Sequence, residues 1–223
     1  LRDELMNVWA EPHRHYHDSR HLRECMALWA RWRDRCERPG EVALALWFHD
    51  AVYDPRAAQA GSNELNSAAW AARALVHAGA DSDVAQRGHD LVMATQHGAP
   101  TDRLSGADAQ MLLDIDLSIL GSPAERFERY DQDVRREYAW VPGFRYRETR
   151  AQVLQSFLDR PRLYYGEHAV GLLESQARIN LAAALALRGR RTLLIDMDPQ
   201  SNSSMSYLDI RTVERSLYDV LSD

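Results

Sequence analysis

From residue 18 to about residue 178 the apolar side chains recur at helical spacing, and this constrains the fold more than anything else in the chain. The pattern is interrupted only by short breaks at Arg38-Pro39-Gly40, Ala60-Gly61-Ser62, His77-Ala78-Gly79 and Val141-Pro142-Gly143. Proline and glycine at such points end one helix and let the next begin. The spacing predicts helices over about 18–37, 41–53, 63–77, 82–97, 107–120, 123–139, 144–160 and 167–188. Ser62 and Ser82 read as N-caps, and Gly79 and Gly121 as stops. The fold expected is all-α, a helical bundle over residues 1–178, followed by a segment of different texture.

Bulk properties remove several classes of function. Hydrophobic residues make up 45% of the 223-residue chain and charged residues 27%, and no apolar run reaches membrane-spanning length. The chain opens Leu1-Arg2-Asp3-Glu4, without a basic-then-apolar leader, so a cytoplasmic location and no membrane partner are expected. Only Cys25 and Cys36 occur, outside any thiolate ligand spacing, which argues against disulfides and against a cysteine zinc site. A formal charge of -6 supplies no field for a phosphate backbone, and no nucleic-acid partner is expected. Four tryptophans, Trp29, Trp32, Trp70 and Trp140, are assigned to the core; homo-oligomerisation through such faces stays open.

Chemistry concentrates in three places. His13, His15, His17 and His21 crowd the N-terminal region, and His17 and His21 are one helical turn apart. In Trp47-Phe48-His49-Asp50-Ala51-Val52-Tyr53, His49 has Ala45, Leu46, Val52 and Tyr53 as helical neighbours and so faces the core. Asp50 beside it is a carboxylate in apolar company, costly unless paired or bound to a cation. In Leu113-Asp114-Ile115-Asp116-Leu117, Asp116 has Leu112, Leu113, Ile119 and Leu120 around it, whereas Asp114 is rotated by about 200° and ranks lower. Each of these alone is ordinary hydrogen-bonded structure; together they form a set of imidazole and carboxylate donors.

One His, an adjacent His-Asp pair and a distant Asp, here His21, His49-Asp50 and Asp116, resemble the HD superfamily of metal-dependent phosphohydrolases. The words Glu11-Pro-His-Arg-His-Tyr-His17, Trp47 to Asp54, Asn63-Glu64 and Asp114 to Gly121 are similar to a bacterial branch of predicted HD phosphohydrolases. That resemblance implies that His21, His49, Asp50 and Asp116 hold a divalent metal ion. Manganese, iron, nickel, cobalt, zinc and magnesium all suit such ligands. Tyr16-His17-Asp18-Ser-Arg-His21 also resembles the YHNxxH stretch of cyclic-nucleotide phosphodiesterases, which implies that His17 is a general acid. Asp18, standing where Asn is usual, is expected to raise the pKa of His17. Glu64 and His97 are further catalytic candidates by the same resemblance, with a helix start for Glu64 and a surface histidine for His97 as the plain alternatives. Tyr53, Arg145, Arg147 and Arg150 could border a phosphate-binding mouth, but exposure on helices is the stronger reading.

The function implied is hydrolysis of a small phosphorylated or nucleotide substrate, assisted by a divalent metal. A non-catalytic module that binds metal or nucleotide and regulates a partner is the alternative.

The texture changes after Gly189. Ile179 to Asn202 and Ser216 to Leu221 resemble the ParA family of partition ATPases, with Thr192 to Ile195 as a strand and Asp198-Pro199 as a turn. In that family the stretch follows a Gly-Lys-Thr-Thr phosphate loop, whereas Gly171-Leu-Leu-Glu-Ser-Gln-Ala-Arg178 stands here. Without that cradle, ATPase activity is not expected from residues 179–223, which read as a ParA-like, α/β-like tail rather than an independent, well-ordered domain.

Overall fold

A computed structural model describes residues 1–57, 59–96 and 106–189. Their regular structure is helical throughout, as expected: α1 (Arg2–Val8), α2 (Ser19–Trp32), α3 (Pro39–Phe48), α4 (Ser62–His77), α5 (Ser82–Ala94), α6 (Ala107–Asp116), α7 (Ala124–Glu137), α8 (Gly143–Leu158), α9 (Glu167–Ala169) and α10 (Ser175–Leu187). A 3₁₀ turn, Leu117–Gly121, continues α6, and a π turn, Val170–Glu174, joins α9 to α10. His97 and the strand expected at 192–195 lie outside the described residues.

Helix starts follow local chemistry. Asp18 caps α2, its carboxylate accepting from the amides of Arg20 at 2.8 Å and His21 at 3.3 Å. Pro39 occupies the first turn of α3, where a missing N–H costs nothing. Ser62 and Ser82 turn out to be first helical residues, and the cap positions fall to Gly61 and Asp81. The expected stop at Gly79 directly follows the C-cap of α4.

Helices α4 and α5 pack along each other, α5 lies on α3, and α3 contacts α2 and α6. Helix α10 closes the other side against α8, α7 and the 3₁₀ turn. Two glycines permit close approach: a β-carbon on Gly88 would stand 2.6 Å from the Leu75 side chain, and one on Gly121 would meet Leu173 at 2.7 Å. The hydrophobic core is one cluster that runs from Leu5 in α1 to Leu185 in α10. Helix α10 passes the expected boundary at 178 and 179 without a break, and Ile179, Leu181, Ala184 and Leu185 are buried.

Three expectations change here. Helix α3 ends at Phe48 rather than near residue 53. Arg14, fully buried along its side chain, donates to the carbonyls of Asp50 at 2.6 Å and Ala51 at 3.0 Å, and the Val52 amide donates to the Ser67 hydroxyl at 2.9 Å. Those partners replace the helical bonds that another turn would have made. Trp140 is not core: it is 50% exposed, whereas Trp32 is buried. Arg150, expected to be exposed, is buried against Asp131 and the Tyr130 ring. Among the described residues no helix is long and apolar enough to cross a membrane.

Candidate metal centre

His21 comes from the first turn of α2, His49 from the C-cap of α3, and Asp116 from the last turn of α6. Three helix ends thus converge on one point. The imidazoles meet with their Nε2 atoms 3.1 Å apart, and Asp116 Oδ1 lies 3.2 Å from the first and 3.5 Å from the second. One ligand atom from each of these three residues falls within 4.8 Å of the others. Asp50 adds a carboxylate oxygen 3.0 Å from His49 Nε2 and 3.7 Å from His21 Nε2, although it stands outside that tightest trio.

The donor set fits a cation. His49 Nδ1 lies 2.8 Å from the Leu46 carbonyl, which fixes the proton on that nitrogen and leaves Nε2 a lone pair for the cluster. Both imidazoles are almost fully buried under Trp9, whose ring sits 5.5 Å from His49. Burial pushes the His49 imidazolium down, but the Asp50 and Asp116 carboxylates outweigh it and hold its pKa well above the ordinary value. Asp50 and Asp116 are held low against burial, chiefly by His49 for the first and by His21 and His49 for the second. The cluster therefore favours positive charge at its centre, and a divalent ion meets that demand with the residues present.

His17 stands beside the cluster, its ring centroid 6.2 Å from that of His21. Its partner is not Asp18, which is occupied in capping α2, but Glu137, with Nδ1 2.7 Å from Oε2. Burial lowers the His17 pKa, and the Glu137 carboxylate, joined by those of Asp50 and Asp116, more than restores it, so the net shift is upward. Glu137 also accepts the amides of His15, Tyr16 and His17 on Oε1 at 2.8–2.9 Å, and the Tyr53 hydroxyl on Oε2 at 2.8 Å. With His17 charged beside it, the carboxyl is pushed down to about 2. Tyr53 stacks on the imidazole at 4.1 Å.

Glu137 was absent from the candidates drawn from sequence, yet a signal existed. Phe127, Tyr130, Asp133, Val134 and Glu137 form the buried stripe of α7, and a carboxylate on such a face demands a partner: Asp133 finds Arg136 on its own helix, whereas Glu137 has to find one elsewhere. Asp114 plays a separate part, as its lower rank suggested: buried, it accepts the amides of Tyr165 and Gly166 at 2.7 Å each.

A cavity of about 490 Å³ opens on this cluster, lined by His17, Asp50, Asp116 and Glu64 among others. Glu64, in the first turn of α4, thus shares a space with the metal-type donors.

Comparison with protein families matches residues 171–223 to the AAA domain and matches no HD-domain family. The C-terminal segment is similar to ParA and Soj-type sequences. Two uncharacterised proteins of Pseudomonas putida are each 50% identical over 52 residues, 23% of this chain and 20% of theirs. The sporulation initiation inhibitor protein Soj of Bacillus subtilis is 39% identical over 54 residues, 24% of this chain and 21% of Soj. The chain thus spans about a fifth of the length of the curated relatives it matches. No solved structure matches. These findings overturn the assignment to the HD superfamily, which rested on short words and on four donors in order. The part of the resemblance that stands is the ParA-like one at the C-terminal end.

Proposed function

We propose that this protein is a metal-dependent phosphohydrolase acting on a small phosphorylated substrate. His21, His49, Asp50 and Asp116 hold one divalent cation and His17 donates the proton. The observation that carries this reading is the shared cavity: imidazole and carboxylate donors, a charge-paired histidine and an approach of substrate size meet in one place. A divalent ion bound there supplies Lewis acidity toward a phosphoryl oxygen and lowers the pKa of water.

The chain's own residues supply the rest. Glu137 fixes His17 through Nδ1, so Nε2 is the atom left to protonate a departing alkoxide. Arg14 ties the backbone of His17 to that of Asp50, donating to both carbonyls, and so sets the proton donor against the cation ligand. Trp9 closes the far side of the imidazoles and keeps water from behind the cluster. An ATPase reading has no comparable support, because residues 171–178 form a π turn and the start of α10 in place of a glycine-rich phosphate loop.

The test is metal content by mass spectrometry beside hydrolysis of 4-nitrophenyl phosphate and a nucleotide panel with manganese. Wild type should carry close to one equivalent of metal, and His49→Ala or Asp50→Ala should lose it while keeping helical circular dichroism. His17→Ala should keep the metal and lose about 10²- to 10⁴-fold in turnover. Full metal retention in both ligand variants sinks the centre, and metal without turnover leaves a binding module.

A further inference from the structure

The cavity at the metal centre has a wall that the proposed chemistry does not use. Helix α8 turns one face to it, Tyr146, Thr149, Arg150, Val153 and Phe157, at the i, i+3, i+4, i+7, i+11 spacing of a single helical stripe. Tyr53, Tyr130, Tyr138 and Trp140 add four more rings. Tyr146, Arg150 and Phe157 of this stripe are buried, whereas Thr149 is exposed and Val153 is 39% exposed, and outside the helix Trp140 is 50% exposed.

The polar groups in these walls are largely committed elsewhere. Asn63 exchanges two hydrogen bonds with the backbone of Asp54, both at 3.1 Å, and the Thr95 hydroxyl donates to the Val92 carbonyl at 2.8 Å. Arg150, with His17 one of the two cationic groups among the described lining residues, gives Nε to Asp131 at 3.1 Å and lies 5.0 Å over the Tyr130 ring, while its Nη2 is buried without a hydrogen-bond partner among the described residues. Asp131 is shared with Arg188 at 2.6 Å, so the ion pair belongs to the fold. The Tyr146 hydroxyl is buried without a hydrogen-bond partner among the described residues. With Asp50 and Asp116 turned to the cation, Glu64 is the remaining carboxylate among the described lining residues.

We infer that the substrate is a phosphate monoester of a bulky aromatic alcohol, its ring system seated on the α8 face and its phosphate at the metal centre. A sugar finds few free polar partners on these walls. A polyphosphate chain would need cationic partners beyond the metal, and on these walls only His17, paired with Glu137, and Arg150, paired with Asp131, carry positive charge. This inference rests on the phosphohydrolase reading, and its test has an arm that does not.

With manganese present, kcat/KM for 1-naphthylmethyl phosphate should exceed that for glycerol 3-phosphate, an alkyl ester with a leaving group of similar basicity, by on the order of tenfold or more, the discrimination that burial of a ring system supplies. Val153→Trp, and separately Thr149→Phe at an exposed neighbouring position, should fill the seat. Both should raise KM for the naphthylmethyl ester about tenfold with metal content and melting temperature unchanged. In the second arm, calorimetry measures 1-naphthol and glycerol binding to the metal-loaded protein without turnover. Naphthol binding that either substitution abolishes supports the seat. Absence of naphthol binding, equal binding in both variants, or a preference for glycerol phosphate overturns it. Should neither ester turn over, the hydrolase reading fails alone and the naphthol arm still decides.

Discussion

A single carboxylate, Glu137, does more for the site than any residue singled out from the sequence except the metal-type donors. It gathers three consecutive amides, the Tyr53 hydroxyl and the His17 ring, and its pKa of about 2 lies well below the ordinary value of 4.5. At the usual conversion that shift is worth on the order of 3 kcal/mol at neutral pH. The Glu137 share is present above its unfolded pKa of about 4.5 and is lost as pH falls toward 2. The His17 share is complete below about 6.5 and fades as pH rises through its elevated folded value. The pair is thus strongest between roughly pH 4.5 and 6.5. Glu137→Gln keeps an acceptor for the three amides and removes the charge. It should lower the His17 titration midpoint, followed by ¹H–¹⁵N NMR, and move the alkaline limb of any turnover profile the same way. An unmoved midpoint would show that Glu137 does not set it. The donors themselves were legible because imidazoles and carboxylates on apolar helix faces demand partners. The Glu137 contact was not, because it joins positions 120 residues apart that no spacing rule relates.

At the scale of helices, the periodicity placed most elements within a few residues, and the differences have local causes. The N-terminal helix α1 was not foreseen: at seven residues it is short, and its packing rests on Leu5 and the neighbouring Trp9. Helix α3 overran in the expectation because side-chain acceptors and donors from Ser67 and Arg14, distant in sequence, take over its last backbone groups. The junction between α10 and the turn after Asp116 offers a direct probe. Asn180, 1% exposed, donates from Nδ2 to the carbonyls of Leu120 and Ser122 at 2.8 Å each, pinning the 3₁₀ turn that follows Asp116. Asn180→Leu leaves both carbonyls without that donor and should cost about 1–3 kcal/mol in urea unfolding. Metal affinity should fall with it, since Asp116 sits at the start of that turn. A stability loss with unchanged affinity would mean that the turn does not position Asp116.

Across the whole molecule, similarity and folding divide the chain differently. The match to the AAA domain begins at residue 171, yet the core cluster runs on through Ala177, Leu181, Ala184 and Leu185. A boundary drawn from likeness to relatives therefore cuts through packed side chains, and the metal-centre helices and α10 share one cooperative interior. The π turn at Val170–Glu174 gives this junction a property of its own. Such turns are the footprint of an extra residue taken up without disturbing the flanks. Chain length should thus be negotiable at that turn. Deleting Gly171, whose α-carbon faces open space, should let the turn tighten to α-helix while Asn180 keeps its phase, with little change in melting temperature. Deleting Ala183 instead should rotate Ala184 and Leu185 by about 100° off the core and lower it sharply. If the two deletions melt alike, the junction has no such tolerance; if they differ, it is where insertions and losses can accumulate without the interior registering them.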